Sequence, residues 1–335
     1  MTSHSQKLGI LQRGIEMRIT NWKSEAISLA LTTTLSWRAI AKKLNKSKST
    51  VSDLLRKAAK EDYLQTPSKK EDEPKILLFD IETSMIQAYI WGLWNQNIGI
   101  SSIIKDWYVI CWSARWLGTE KMIHDSIHLH GKKLPYSDYE EQVVRSLWML
   151  LDAADIVIAF NGKKFDKKKM NAKFFEYGLL EPTPYKIIDP MLIVKGNFAL
   201  TSNKMDFVVR YVKDNDEGKS STNIALWHKC MNNDVASLDY MLDYCDQDIE
   251  VLEKVYRAVR HWDKNSPNLA LHYKDDKPRC NGCGSTKLRK LENKTTHTTL
   301  STFSVFRCDG CGKVLRDRTS LLSKEKRSTL LMNSN

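Results

Sequence analysis

The sequence predicts an α/β domain with a mixed sheet, placed between a small helical module and a small β module. Three observations carry this prediction. In the middle of the chain, short apolar, β-branched runs come first and longer helical stretches follow, the order expected of an α/β domain. Two polar, proline-containing stretches, LQTPSKKEDEP at 64–74 and the run from KNSPN to KDDKPR at 264–279, divide the chain. Charge follows the same divisions. Residues 1–70 hold 14 Lys and Arg against 5 Asp and Glu, and residues 263–335 hold 15 against 7. Residues 71–262 hold 23 against 28. The resulting boundaries are a helical module at 20–62, a linker at 63–74, an α/β domain at 75–262, a linker at 263–278, a β module at 279–317 and a flexible tail at 318–335.

The first module is helical in pattern from Asn21 to about Asp62. In SWRAIAKKLNKSKSTVSDLLRKA, residues Ile40, Ala41, Leu44, Val51 and Leu54 have the spacing of two short helices packed across a tight turn. Ser47 or Ser49 would cap the second helix. This resembles a helix-turn-helix whose recognition helix, Lys48–Lys57, presents Lys48, Ser49, Thr50, Ser52 and Arg56 to DNA. A helical bundle for protein contacts is the other reading. In the middle domain KILLFDIET opens a buried strand. Strands are expected at Tyr108–Trp116, Ile123–Leu129 and 155–160, and helices at Tyr139–Ala153, from Phe165 to Gly178, at 202–213 and at 234–262.

The 335 residues carry a net charge of +12, with 42% hydrophobic and 27% charged residues, the balance of a water-soluble globular chain. No apolar run approaches the ~18 residues of a membrane span, and the start MTSHSQK lacks a signal-peptide core. Cytoplasm and no membrane partner are therefore expected. The two basic ends point to a polyanion, nucleic acid first. Of seven cysteines, Cys111, Cys230 and Cys245 are scattered and expected in the core.

Asp80 and Glu82 stand one residue apart where the strand LLFD ends, so both project to one face. Adjacent carboxylates repel unless a cation lies between them, and Mg²⁺ or Mn²⁺ prefers such oxygens. Asp166 follows the strand DIVIAF, and Asp248 lies in YCDQD, one helical turn after Tyr244. Asp243 and Asp246 compete with Asp248, but only Asp248 has Tyr four residues before it. Asp189 follows an expected strand and reads as a structural cap, with a fifth carboxylate as the alternative. His124, His128 and His130 read as surface histidines.

FDIET, AFNGKKFD and YCDQD resemble, in order and spacing over roughly 75–262, the three motifs of the DEDD 3′–5′ exonucleases. These are RNase H-like proteins related to the proofreading domains of family-B DNA polymerases. The segment IDPMLIVKGNFALTSNKMDFVVRYV is similar to stand-alone bacteriophage members. The resemblance implies an RNase H-like mixed sheet flanked by helices and two Mg²⁺ or Mn²⁺ ions held by Asp80, Glu82, Asp166 and Asp248. Its two branches differ before the last Asp. One has His five positions earlier, where this chain has Asp243; the other has Tyr four positions earlier, where it has Tyr244. The tyrosine branch is implied, with Tyr244 orienting water, since a phenol is a poor base at neutral pH. Asn161, Lys163, Lys164 and Lys204 are candidate nucleic-acid contacts; the lysines around Asp166 equally suit a solvated helix start. Implied partners are DNA ahead of RNA, and replication or recombination proteins. A structure-specific endonuclease or RNase of the same class is the second reading, and a non-catalytic DNA-binding regulator the third.

CNGC at 280–283 and CDGC at 308–311 each place two sulfurs within reach of one ion. Four thiolates match a closed, structural Zn²⁺ site. With the alternating, Thr-rich stretch between them this resembles a zinc ribbon. Its basic residues, Arg289 and Lys290 among them, suit nucleic acid, with protein contact as the alternative.

Overall fold

The computed structural model describes residues 26, 36–63 (the backbone alone at 56–63), 73–95, 97–212, 222–332 and 334. It divides into two compact units, Met1–Thr66 and Pro67–Asn335.

In the first unit, helix α1 (Trp37–Lys43) starts at Ser36, whose hydroxyl accepts from the Ala39 amide at 3.2 Å. The turn runs through Asn45, whose φ of 50° lies in the left-handed region that Asn tolerates. Helix α2 (Lys48–Tyr63) is capped by Ser47, which accepts from Thr50 N–H at 3.0 Å. Ile40, Ala41, Val51 and Leu55 bury their side chains with Ala26, while Leu44 and Leu54 are only partly covered. Leu55 thus takes the place expected of Leu54. The expected helical start near Asn21 lies outside the described residues except for Ala26.

The second unit is built on a five-stranded mixed sheet. Strand β1 (Ile76–Thr83) is followed by the small pair β2 (Gln87–Ala88) and β3 (Ile103–Lys105), then β4 (Val109–Trp116), β5 (Ile123–Ser126), β6 (Ile156–Ile158) and β7 (Lys186–Ile188). The order is β5-β4-β1-β6-β7. β1 pairs antiparallel with β4 and parallel with β6. β4 is buried on both faces, so it reads as a nearly unbroken apolar run. Helix α3 (Glu140–Ala153) covers one face, with Trp112 Nε1–H donating to Val143 O at 2.8 Å. Helix α4 (Asp166–Glu176) lies beside it, followed by α5 (Pro190–Asn197), the single turn α6 (Met205–Val208) and α7 (Ile224–Met231). The 25-residue helix α8 (Val235–Val259) covers the other face with the buried stripe Leu238, Met241, Cys245, Ile249 and Leu252.

Several expectations shift. The strand expected at Ile123–Leu129 ends at Ser126, where a 3₁₀ turn takes over. The helix expected over 202–213 is α6 plus a 3₁₀ turn at Val209–Tyr211, because only Val208 and Val209 find burial. Position 213 lies outside the described residues. β7 is the strand expected before Asp189, whereas α5 and α7 have no counterpart in the sequence reading; α5 is defined by Asp189 as N-cap and Pro190 at its first position.

The stretch after α8, polar enough to read as a linker, is packed. Leu269 is buried in the same cluster as Ile249 and Val255. Its amide donates to Asn281 O at 2.9 Å, and Lys313 Nζ donates to Ser266 Oγ at 2.5 Å. These bonds dock the three-stranded sheet of β8 (Leu288–Thr298), β9 (Ser301–Cys308) and β10 (Val314–Arg316). In the tail, Ser323 caps the short helix α9 (Lys324–Ser328).

Candidate metal centres

β1 and α8 position the acidic site. β1 must run through the middle of the sheet because Leu77, Leu78 and Phe79 are fully buried. Its last residues therefore carry Asp80 and Glu82 to the edge of the core, both half-buried. Across β1, α8 brings Asp248, which is buried. One carboxylate oxygen from each of Asp80, Glu82 and Asp248 lies within 4.8 Å of the others. Tyr244 is half-buried one turn before Asp248. Cys245, three residues before Asp248, packs beneath β1 with its Sγ 3.6 Å from Asp80 O and 3.8 Å from Asp80 Oδ2.

Asp166, at the start of α4, is 2% exposed and falls outside that three-oxygen cluster. Burial is the main reason its carboxyl is pushed up to about 7, with Asp189 adding repulsion; its own amide and that of Ile81 donate to it and oppose the rise. Ile81 stands between Asp80 and Glu82, so Asp166 reaches the same stretch of β1. Its Oδ1 is buried with no hydrogen-bond partner among the described residues. The loop before it is held by Asp189, whose carboxylate accepts from Asn161 N–H at 2.9 Å, Lys163 N–H at 3.4 Å and Met191 N–H at 3.1 Å. Asp189 is thus a cap and a loop anchor. Asn161 has φ 61° and is half-buried. A Cβ on Gly162 would meet the Ala159 Cβ at 2.3 Å, so the turn requires glycine.

The competitors of Asp248 go elsewhere. Asp246 accepts from Ser113 Oγ at 2.5 Å and pairs with His124 Nδ1 at 2.8 Å, a contact that raises the His124 pKa. Asp243 is exposed. His128 is not a surface residue: its side chain is 5% exposed and bonds Asp239 and Ser126, each at 2.8 Å. His130 pairs with Asp125 at 2.8 Å. Sequence reasoning missed these pairs and the thiol under Asp80. The i−3 spacing of Cys245 from Asp248 was the available signal for the thiol.

The acidic set fits a hard divalent cation. Three convergent carboxylates and a fourth, buried and partly unpartnered beside them, are costly without a positive charge and are oxygen donors throughout. Cys280, Cys283, Cys308 and Cys311 also converge, all four sulfurs within 4.8 Å of one another. Four sulfurs at that spacing fit one Zn²⁺. Their mutual hydrogen bonds drive the thiols apart, Cys283 up and Cys311 down.

The candidate nucleic-acid residues are dispersed. Lys163, Lys164 and Lys204 are exposed around the loop and at the start of α6. Arg289 and Lys290 are exposed on β8, Arg289 lying 3.6 Å from Asp309. In the first unit Lys48, Ser49 and Thr50 are exposed, with both hydroxyls bonded to Ser47 Oγ. The Arg56 side chain lies outside the described residues.

A five-stranded mixed sheet flanked by helices is the RNase H-like fold. Residues 126–260 match the RNase_H superfamily model. That span contains Asp166, Tyr244 and Asp248 and begins after Asp80 and Glu82. Among solved structures the chain is similar to the family B DNA polymerase from the hyperthermophilic archaeon Pyrobaculum calidifontis, at 12% identity and a TM-score of 0.41. The alignment covers 56% of this chain and 25% of the polymerase chain, so this protein spans about a quarter of that relative. No curated protein matches the sequence. Among the described residues, no helix is long and apolar enough to cross a membrane.

Proposed function

We propose that the second unit is a metal-dependent 3′–5′ exonuclease that hydrolyses phosphodiester bonds of nucleic acid, DNA ahead of RNA. The observation that carries this reading is the convergence of Asp80, Glu82 and Asp248, with Tyr244 one turn away on α8. Asp80, Glu82 and Asp248 would hold a divalent ion, Mg²⁺ or Mn²⁺, and Asp166 would contribute to a second. Bound ions of this kind lower the pKa of a coordinated water and neutralise charge on the leaving oxygen. Tyr244 orients the attacking water by hydrogen bonding. Cys245 and the apolar stripe of α8 hold the Asp80 backbone in place and keep bulk water from the inner side of the carboxylates. Asp189, through the Asn161 and Lys163 amides, fixes the loop that seats Asp166.

The four cysteines would hold one structural Zn²⁺, since a closed thiolate set leaves no open position for chemistry. The basic faces of the ribbon and of the first unit would bind the polyanion that the net-negative nuclease domain repels. On this reading replication or recombination proteins are the expected protein partners.

A time course on 5′-labelled single-stranded DNA with Mg²⁺ or Mn²⁺, wild type against Asp80→Ala, tests the reading. The expected result is a ladder shortening from the 3′ end, absent in the variant. Cleavage of a closed circular strand would replace exonuclease by endonuclease. Site-specific binding without any cleavage would leave the non-catalytic regulator.

A further inference from the structure

The connection between β1 and β4 exposes an unusual amount of aromatic surface. It leaves the sheet at the end of β1 that carries Glu82, closes through the β2–β3 pair at Gln87 and Lys105, and returns to Val109. Tyr89 is 77% exposed, Trp91 100% and Trp94 83%. Ile90, Leu93 and Ile100 are exposed beside them. Exposed apolar area on this scale marks an interaction surface.

Its chemistry selects the partner. Residues 84–105 contain one Lys and no Asp or Glu, inside a domain that is net negative. The rings are interleaved with Ile90, Gly92 and Leu93 and followed by the uncharged amides Asn95, Gln96 and Asn97. Exposed rings without carboxylates are what a single nucleic-acid strand stacks on regardless of sequence. Lys105 stands at the base of the hairpin and Lys169 lies over the Trp107 ring at 3.6 Å, so cations flank the surface. Location agrees as well. Trp91 is nine residues from Glu82 in the chain, which limits their separation to about 30 Å. A strand bound at the acidic centre would therefore come within about 30 Å of this hairpin.

We propose that the 86–104 hairpin is a stacking platform for unpaired bases, with Tyr89, Trp91 and Trp94 as its rings, feeding single-stranded nucleic acid to the acidic centre. The feeding role rests on the nuclease reading; the platform itself does not.

Fluorescence anisotropy of a labelled oligothymidylate, in EDTA so that nothing is cleaved, tests it on the full chain. Loss of one ring in Trp91→Ala should weaken binding about ten- to a hundredfold. Trp91→Phe should recover most of the loss, and a blunt duplex, whose bases are already stacked, should show no such difference. Trp91 is fully exposed, so its truncation leaves the core intact. Unchanged oligothymidylate affinity in Trp91→Ala overturns the proposal. So does equal weakening on the blunt duplex, or a dimer that dissociates in Trp91→Ala while oligothymidylate affinity holds. Hydrolysis of thymidine 5′-monophosphate p-nitrophenyl ester by the wild type with Mn²⁺ reads the nuclease assignment separately: that reading can fail while ring-dependent binding stands.

Discussion

Asp248→Asn should stabilise the metal-free protein while destroying its activity. The carboxylate oxygens of Asp80, Glu82 and Asp248 approach within 4.8 Å, and at that distance two unit charges repel by about 0.9 kcal/mol in bulk water and about 3.5 kcal/mol at an effective dielectric constant of 20. Asp248 takes part in two such pairs. Because Asp80 and Glu82 are half-buried, the lower part of this range applies, and neutralising Asp248 relieves about 2–3 kcal/mol. For a unit of this size that is a rise in melting temperature of about 4–10 °C. Asn keeps the shape of Asp, so packing against β1 is preserved. The assay is thermal unfolding in EDTA and again with Mn²⁺. The variant should melt above the wild type in EDTA, and Mn²⁺ should raise the wild type far more than the variant. If Asp248→Asn melts at or below the wild type in EDTA, or Mn²⁺ raises both equally, the convergent carboxylates are not a metal centre.

Three further outcomes are expected. Lys173 and Glu140 are both buried, 3.1 Å apart, and Glu140 also accepts from Val109 N–H and Tyr177 OH. Lys173→Met strands that carboxylate and should cost about 3–5 kcal/mol at neutral pH by urea unfolding. Burial already raises the Glu140 pKa, so folding favours its protonated form. Stability from this group is complete below the ordinary Glu range and is lost as pH rises through the raised value. The Lys173→Met penalty should therefore shrink toward acid pH and grow above it. Gly162→Ala drives a Cβ to 2.3 Å from the Ala159 Cβ and should cost about 1–3 kcal/mol in thermal melts, with a loss of cleavage because the loop seats Asp166. Release of metal by a thiol-modifying mercurial should yield one zinc per chain by colorimetric chelation, and none from Cys283→Ser together with Cys308→Ser.

The candidates for the acidic centre were legible because each is marked locally, although only the resemblance joined them into one site. Period-two alternation puts Asp80 and Glu82 on one face, the end of an apolar run marks Asp166, and the i,i+4 rule groups Tyr244 with Asp248. The CxxC pairs were legible for the same reason. What failed was judged by polarity alone. The stretch after Trp262 reads as a linker, yet one residue in it, Leu269, finds the core and fastens the three-stranded sheet to the end of α8. His128 reads as surface but its side chain is covered, and Asp239 and Ser126 satisfy both ring nitrogens.

By itself the sequence determined which side chains can bind metal and which segments can be strands or helices, since both follow from residue type and short-range spacing. Tertiary structure gave neighbouring carboxylates their separate partners. Asp246 and Asp248 lie two apart on one helix, and only the rotation of α8 against β1 sends one to Ser113 and His124 and the other to Asp80 and Glu82. It also set Asp166 to one side of the three-oxygen cluster and buried it against Ile81, a position fixed by the packing of α4 and by the Asp189 anchor. Spacing along a chain measures neither helix rotation nor the depth of a side chain, because both come from contacts between residues far apart in sequence.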